Sequence, residues 1–290
     1  MCLPGTWPMN PTTLTFGQSA DPDDAFMAWA LATGKVEIPG YEVRIHFDDI
    51  QSLNELALDG GLELTALSAG AYPFVADRYR VLRSGASFGQ EYGPVVVGKT
   101  SPPEVGPGAI DDMRVAVPGM QTSAYALLRI HAGDGFEPVP MRFDAIMTAV
   151  VEGAVDAGLI IHEGQLTYEE HGLHLLCEPA RAWNERTALP VPLGLVGVRR
   201  DLGEPICRLV ASAFKESIEA ALAHPNEATA FAAEHGRGLE EAHLRTFVDQ
   251  YVDDATLDMG DDGAAALHRF YAEAHEAGIL PEAPPLDLLD

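Results

Sequence analysis

Ser101-Pro102-Pro103-Glu104-Val105-Gly106-Pro107-Gly108 separates two stretches of chain that repeat the same alternation of short apolar runs and helical patterns. Three prolines and two glycines in eight residues end regular structure, so the segment reads as a crossover between two units. Before it, Leu14–Gly17 reads as a strand and Asp23–Thr33 as a helix with Phe26, Trp29 and Ala30 on one face. Tyr41–Phe47 alternates, Tyr41, Val43, Ile45 and Phe47 facing one way and Glu42, Arg44 and His46 the other. Ile50–Leu58 reads as a helix with Leu53, Leu56 and Ala57 inward, and Leu62–Ser68, Tyr79–Leu82 and Pro94–Gly98 as strands. Such a β-α-β series predicts a largely parallel sheet with helices on its faces.

After the crossover the pattern restarts. Met113–Val117 reads as a strand, Pro118-Gly119 as a turn and Thr122–His131 as a helix. Strands at Val139–Phe143 and Ala157–Ile161 enclose a helix at Asp144–Glu152, and strands at Leu173–Cys177 and Leu193–Val198 flank a helix near Ala180–Glu185. From Pro205 the pattern is purely helical. Leu209, Val210, Phe214, Ile218 and Leu222 recur at helical spacing in Pro205–Ala223, and Asn226–His235, Glu240–Val252 and Gly263–Ala277 follow. Pro281–Asp290 reads as a surface tail. The expected architecture is α/β with two lobes: 1–108 the first part of lobe 1, 109–200 lobe 2, and 201–290 a helical return packing on lobe 1. A ligand would lie in the cleft between them.

The chain has 290 residues and a formal net charge of −26, from 44 acidic and 18 basic side chains. That excess argues against nucleic acid, whose backbone needs clustered Lys and Arg, and against an anionic membrane surface. The basic residues are nearly all arginine, with Lys35, Lys99 and Lys215 as the lysines. Cys2, Cys177 and Cys207 imply no disulfide framework. Met1–Thr13 lacks a basic start followed by an apolar run, and no apolar stretch is long enough to span a bilayer, so a soluble cytoplasmic protein is expected.

Four segments at strand ends could carry chemistry, since ligands of open α/β sheets bind at the carboxyl ends of strands. In Gly17–Phe26, Asp23 or Asp24 reads as a helix N-cap, yet the three carboxylates Asp21, Asp23 and Asp24 exceed what one cap needs. Pro118–Ala124 opens a helix with Thr122 and Ser123. The two readings are a capping Thr and a site where free backbone N–H groups hold an anion without a cation; the GK[ST] ending of a P-loop is missing. In Gly158-Leu159-Ile160-Ile161-His162-Glu163 a fully apolar strand ends in a histidine, which can act as base near neutrality unless it is merely a hydrogen-bonded structural group. Leu64–Tyr72 ends another strand, and its small and hydroxyl residues either pack closely or let a ligand approach the backbone. His162, Glu163, Glu169, Glu170, His171 and His174 fall within thirteen residues but match no zinc spacing, and no G-x-S-x-G elbow is present.

Taken together, these segments resemble the 1,4-dihydroxy-6-naphthoate synthase family of the futalosine route to menaquinone. The similarity rests on Ser19–Phe26, Leu67-Ser68, Asp77-Arg78-Tyr79, Leu82–Gly85, Val115–Gly119, Gly158–Glu163 and Leu189–Gly194, in order along nearly the whole chain. The Leu-Ile-Ile-His-Glu segment is the most specific, because the sister family of chorismate dehydratases has an Ile-Gly-Asp type of sequence there. The resemblance implies a type II periplasmic-binding-protein-like fold and no metal or redox cofactor. It implies cleavage of cyclic dehypoxanthine futalosine, with loss of a sugar-derived fragment and His162 as proton acceptor. Thr122 and Ser123 match the family's Thr-Thr pair and would contact substrate, Ala66-Leu67-Ser68 would form part of the pocket, and Asp21 and Asp23 belong to the first loop. That loop departs from the family's usual His-Ser-Pro, reading Gln18-Ser19-Ala20. Two other readings are chorismate dehydratase activity and a small-anion binding protein that does no chemistry. The partner expected is a small anionic molecule; nothing in the sequence speaks to oligomeric state.

Overall fold

A computed structural model describes residues 12–90, 92–162, 164–235, 244–245, 248 and 251–290. Met1–Pro11 with Cys2, Glu163, and most of the helix expected at Glu240–Val252 lie outside these. The described residues build a seven-stranded and a five-stranded sheet. The first contains β1 (Thr12–Ser19), β2 (Tyr41–Asp48), β3 (Leu64–Ser68), β4 (Tyr79–Leu82), β5 (Ser87–Gly89), β11 (Val191–Arg199) and β12 (Leu288–Leu289). The second contains β6 (Val95–Gly98), β7 (Arg114–Val117), β8 (Glu137–Pro140), β9 (Ala157–Ile160) and β10 (His174–Cys177).

Both lobe boundaries therefore move. β6 pairs antiparallel with β9 and β10, so the second lobe is already under way before Ser101–Gly108, which becomes a connection inside it, tied by Gly106 N–H to the Leu176 carbonyl. β11 pairs antiparallel with β3 and β4, so the chain has returned to the first sheet well before residue 200. Pro and Gly mark where a strand ends; which sheet it joined is decided by partners distant in sequence. For the same reason the sheets are mixed rather than largely parallel: β1 runs parallel with β2 and β3, and β7 with β8 and β9, while β6 and β11 run against their neighbours.

Helix α1 (Pro22–Ala32) was expected to bury one face and is buried almost all round, because α7 (Glu204–Ala223) and α8 (Pro225–His235) pack on the side away from the sheet. A helix apolar all round belongs in a core. The Ser217 hydroxyl of α7 donates to the Met27 carbonyl at 2.7 Å and accepts from Leu31 N–H, while Phe214 meets Phe16 of β1 edge to face at 5.1 Å. The buried stripe of α7 runs through Cys207, Val210, Phe214, Ile218 and Ala221; Leu209 and Leu222 fall off it and are exposed. In α2 (Ile50–Leu58) Leu56 is likewise exposed, and Asn54 takes the buried place instead. No helix among the described residues is long and apolar enough to cross a membrane.

Helix α3 (Ser123–Ala132) belongs to both lobes. Ala126 and Leu127 pack into the first lobe's core with Leu67, Tyr72 and Phe270, while Ala124, Tyr125 and Leu128 pack into the second with Val115, Val117 and Leu159.

Pro281–Asp290 is not a loose surface tail. β12 lies parallel to β4, with Leu289 buried, and covers an edge whose backbone groups would otherwise be unpaired. The Tyr72 hydroxyl donates to the Pro285 carbonyl, and Asp287 accepts from Arg200 at 2.5 Å and from Arg80 at 3.1 Å. Burial works to raise the Asp287 carboxyl, but the bonds from Arg200 and Arg80 overcome it and hold it below the ordinary carboxylate range. Asp287→Ala is expected to cost about 1 kcal/mol in urea melts near pH 7, a modest figure because the pair is partly exposed to solvent. Because the folded state favours the carboxylate, this contribution is present above the unfolded pKa and vanishes as pH falls through the folded one, in the range below about pH 4. A gap between variant and wild type that persists unchanged to low pH would refute the ion-pair account.

Candidate active site

The cleft holds a cavity which, with its mouth, encloses about 730 Å³. Its walls are Ser19, Asp21, Asp23, Asp24 and Ile50 from the β1–α1 and α2 side, Ala66–Ser68 from β3, Gly85 and Ser87 by β5, Leu193–Leu195 from β11, and Pro94, Thr122–Ala124, Ile161, His162, Gln165 and Tyr251. All eight residues expected at the site meet here: His162, Ala66, Leu67, Ser68, Thr122, Ser123, Asp21 and Asp23. No Lys or Arg is among the described lining residues.

His162 follows the buried strand β9 and has φ of 56°. A left-handed conformation at a residue with a Cβ costs of order 1–2 kcal/mol, and it turns the ring out of the strand line. Gln165 steadies this bend once its amide is oriented to meet its neighbours, the oxygen then accepting from His162 N–H at 3.2 Å and the NH2 donating to the Gly93 carbonyl at 2.6 Å. The imidazole lies edge to face against Phe143, centroids 5.0 Å apart. Its Nδ1 is 3.0 Å from Asp21 Oδ2, and Ser19 Oγ donates to the same oxygen at 2.5 Å. Ser19, Asp21 and His162 thus form a chain. With Nδ1–H given to the carboxylate, Nε2 carries the lone pair, and Nε2 has no hydrogen-bond partner among the described residues. This is the arrangement of an oriented general base.

Asp21 precedes α1 at the N-cap position but makes no side-chain cap bond, and Asp23 and Asp24 fall in the first turn. The N-cap position thus falls to Asp21 rather than to Asp23 or Asp24, while Asp23 still accepts backbone amides of the first turn and all three residues line the cavity. Asp23 is buried, and burial followed by repulsion from Asp21 pushes it up to about 7 against opposing bonds from the Asp24 and Asp23 amides and, last, from Ser87. Burial, then Asp23 and Asp21, also raise Asp24.

The hydroxyls at the start of α3 are committed within the protein. Thr122 Oγ1 caps the helix, accepting from Tyr125 N–H and donating to the Gly119 carbonyl. Ser123 Oγ accepts from Gly70 N–H at 3.1 Å and donates to the Leu193 carbonyl at 2.5 Å, stapling α3 to the first lobe. Gly70 is required there, since a Cβ would come within 2.9 Å of the Thr122 backbone. What Thr122 and Ser123 offer a ligand is their placement at a helix start, whose first amides lack intrahelical acceptors. Ser68 is clamped by Asn54, which accepts from Ser68 N–H at 2.9 Å and donates to its hydroxyl at 3.2 Å.

Ser19, Ser87, Gln165 and Tyr251 were not singled out from sequence. Gln165, one helical turn after His162, was within reach of a spacing argument; Tyr251, in a helix far along the chain, was not. Glu169, Glu170, His171 and His174 are exposed and away from the cavity, and Glu163 is outside the described residues. No three His, Cys, Asp or Glu among the described residues gather as a metal cage.

A family profile described as menaquinone biosynthesis matches residues 14–276. The chain is 42% identical over 272 residues to a Thermus thermophilus protein named 1,4-dihydroxy-6-naphthoate synthase, covering 93% of this chain and 97% of that one. A Streptomyces coelicolor protein of the same name is 35% identical, covering 96% and 98%. A crystal structure of an Archaeoglobus fulgidus protein superposes with a TM-score of 0.86 at 41% identity, covering 92% and 98%. The periplasmic aliphatic sulphonate binding protein of Escherichia coli superposes at 0.64 with 15% identity, covering 96% and 91%, a likeness of fold.

Proposed function

The chain belongs to the menaquinone-biosynthesis family, and from that premise we infer that it is an enzyme catalysing the 1,4-dihydroxy-6-naphthoate synthase reaction. The substrate in this reading is cyclic dehypoxanthine futalosine, and the bond broken is the carbon–carbon bond to its sugar-derived fragment. The observation that carries the mechanism is the Ser19–Asp21–His162 chain, with His162 in the cavity wall and its buried Nε2 without a hydrogen-bond partner among the described residues. His162 takes the proton of a hydroxyl on the ring carbon that carries the fragment. That O–H pair becomes a ring carbonyl as the carbon–carbon bond breaks, the pair from that bond leaves with the fragment as an enolate that is reprotonated, and the 1,4-dicarbonyl left behind enolises to the aromatic diol. Asp21 holds the ring in the competent tautomer and stabilises the imidazolium. Incubating the purified protein with the cyclic substrate and following 1,4-dihydroxy-6-naphthoate by chromatography tests this; recovery of unchanged substrate rejects it.

The substrate is an anion, and both the net charge of −26 and the carboxylates of the cavity oppose its approach. The start of α3 is the part of the lining suited to its carboxylate, supplying backbone donors where cationic side chains are missing. Stopped-flow association is therefore expected to quicken several-fold from low salt to physiological ionic strength, where the Debye length has shrunk to about 8 Å. A flat or falling on-rate would place the acidity away from the substrate's path.

A further inference from the structure

Asp21 follows a strand of the first sheet and His162 a strand of the second, and the contact of Nδ1 with Oδ2 at 3.0 Å exists only while the imidazole is aimed across the cleft. That aim is set by the backbone. At φ of 56° a residue with a Cβ must be held by its surroundings, and release to negative φ would redirect the Cα–Cβ bond and part the ring from Asp21. Both backbone polar groups of His162 are met by one residue. Gln165 N–H donates to the His162 carbonyl at 3.1 Å, and in the orientation that satisfies both ends of its carboxamide the Gln165 oxygen accepts from His162 N–H at 3.2 Å. The NH2 end is anchored outside this loop, on the Gly93 carbonyl at 2.6 Å. Gly93 lies in the connection from β5 to β6, where the chain passes from the first lobe to the second. It is packed there against Ala180, whose Cβ would be 2.6 Å from a Cβ placed on Gly93. The neighbouring Tyr92 meets Tyr251 edge to face at 4.9 Å, and the Tyr251 hydroxyl is 3.5 Å from the Gln165 oxygen.

We propose that Gln165 is a positioning residue of the reaction: it holds His162 in the left-handed conformation that delivers Nδ1 to Asp21, and it ties that hold to the connection between the lobes. This rests on the reading of His162 as the base. Gln165 acts through His162 and moves no proton itself. Asp21 fixes the imidazole through its side chain, Gln165 fixes the residue through its backbone, and neither alone specifies where Nε2 points. A base displaced by about 1 Å from its proton loses up to about 100-fold in rate with its chemistry unchanged. The side chain must accept at one end and donate at the other, over the span from the His162 amide to the Gly93 carbonyl. Methionine has a similar length but makes neither bond, asparagine is one methylene too short to make both, and glutamate would set a second oxygen against the Gly93 carbonyl.

The test is Gln165→Met, read by steady-state kinetics with the cyclic substrate and by proton NMR of the ligand-free protein, in which the His162 Nδ1–H is the downfield resonance that His162→Asn removes. Expected are a loss of about 10- to 100-fold in kcat with KM within a few-fold of wild type, and disappearance of that resonance through exchange or its movement upfield. A Gln165 that served stability alone would lower the thermal midpoint and leave the resonance of the folded protein in place, and that result overturns the proposal. A kcat within a few-fold of wild type overturns it as well, and so does a rise in KM alone, which would make Gln165 a substrate contact. Should Gln165→Met fail to fold, the same readings on Gln165→Asn decide. Should wild type not turn over, the reaction assigned above is wrong, and the resonance still decides whether Gln165 holds the imidazole on Asp21. A wild-type spectrum without that resonance overturns the hold.

Discussion

His162→Ala is expected to lower kcat by about 10²–10⁴-fold, the usual worth of a positioned base. The loss follows from geometry: His162 lines the cavity, its buried Nε2 has no partner among the described residues, and Nδ1 is fixed on Asp21 at 3.0 Å. KM should change little, because the imidazole acts on a proton that moves only in the transition state. The backbone at φ of 56° tolerates Asn better than Ala, so His162→Asn provides the same loss of base with less effect on stability. Single-turnover rates beside thermal midpoints separate the two effects. Rates within a few-fold of wild type for both variants would remove His162 from the chemistry.

Asp21→Asn is expected to cost nearly as much, up to about 10⁴-fold in kcat, although it changes one atom. An amide facing Nδ1 no longer compels the tautomer that leaves Nε2 free, and it does not stabilise the imidazolium. A variant that keeps kcat within a few-fold of wild type would remove Asp21 from the positioning of His162.

The parts of this molecule that were legible in sequence are those governed by local period. Alternation marked β2, and it is seen as a half-buried strand with its charged positions outward. Ser68 and His162 were recognisable as cavity positions because an apolar run stops there at a polar residue, and Thr122 because it opens a helix after a strand and a Pro-Gly turn. What escaped depended on partners far along the chain. β6 and β11 change sheet through antiparallel pairing that no local signal announces, and the last residues found the open edge of β4. The carboxylates at the head of α1 carry the composition of an N-cap, and only His162, brought from the other lobe, shows that Asp21 is used as an acceptor. The hydroxyls of Thr122 and Ser123 suggested ligand contacts, whereas both protons are spent inside the protein.

Helix α3, with a face in each core, ties occupancy of the cleft to cooperativity. Rotating the lobes apart as rigid bodies would draw Ala126 and Leu127 out of one core or Tyr125 and Leu128 out of the other, and would part Ser123 from Gly70 and Leu193. α3 thus couples the two lobes of this chain. A ligand held at the start of α3 would by mass action raise the resistance of both lobes to unfolding together.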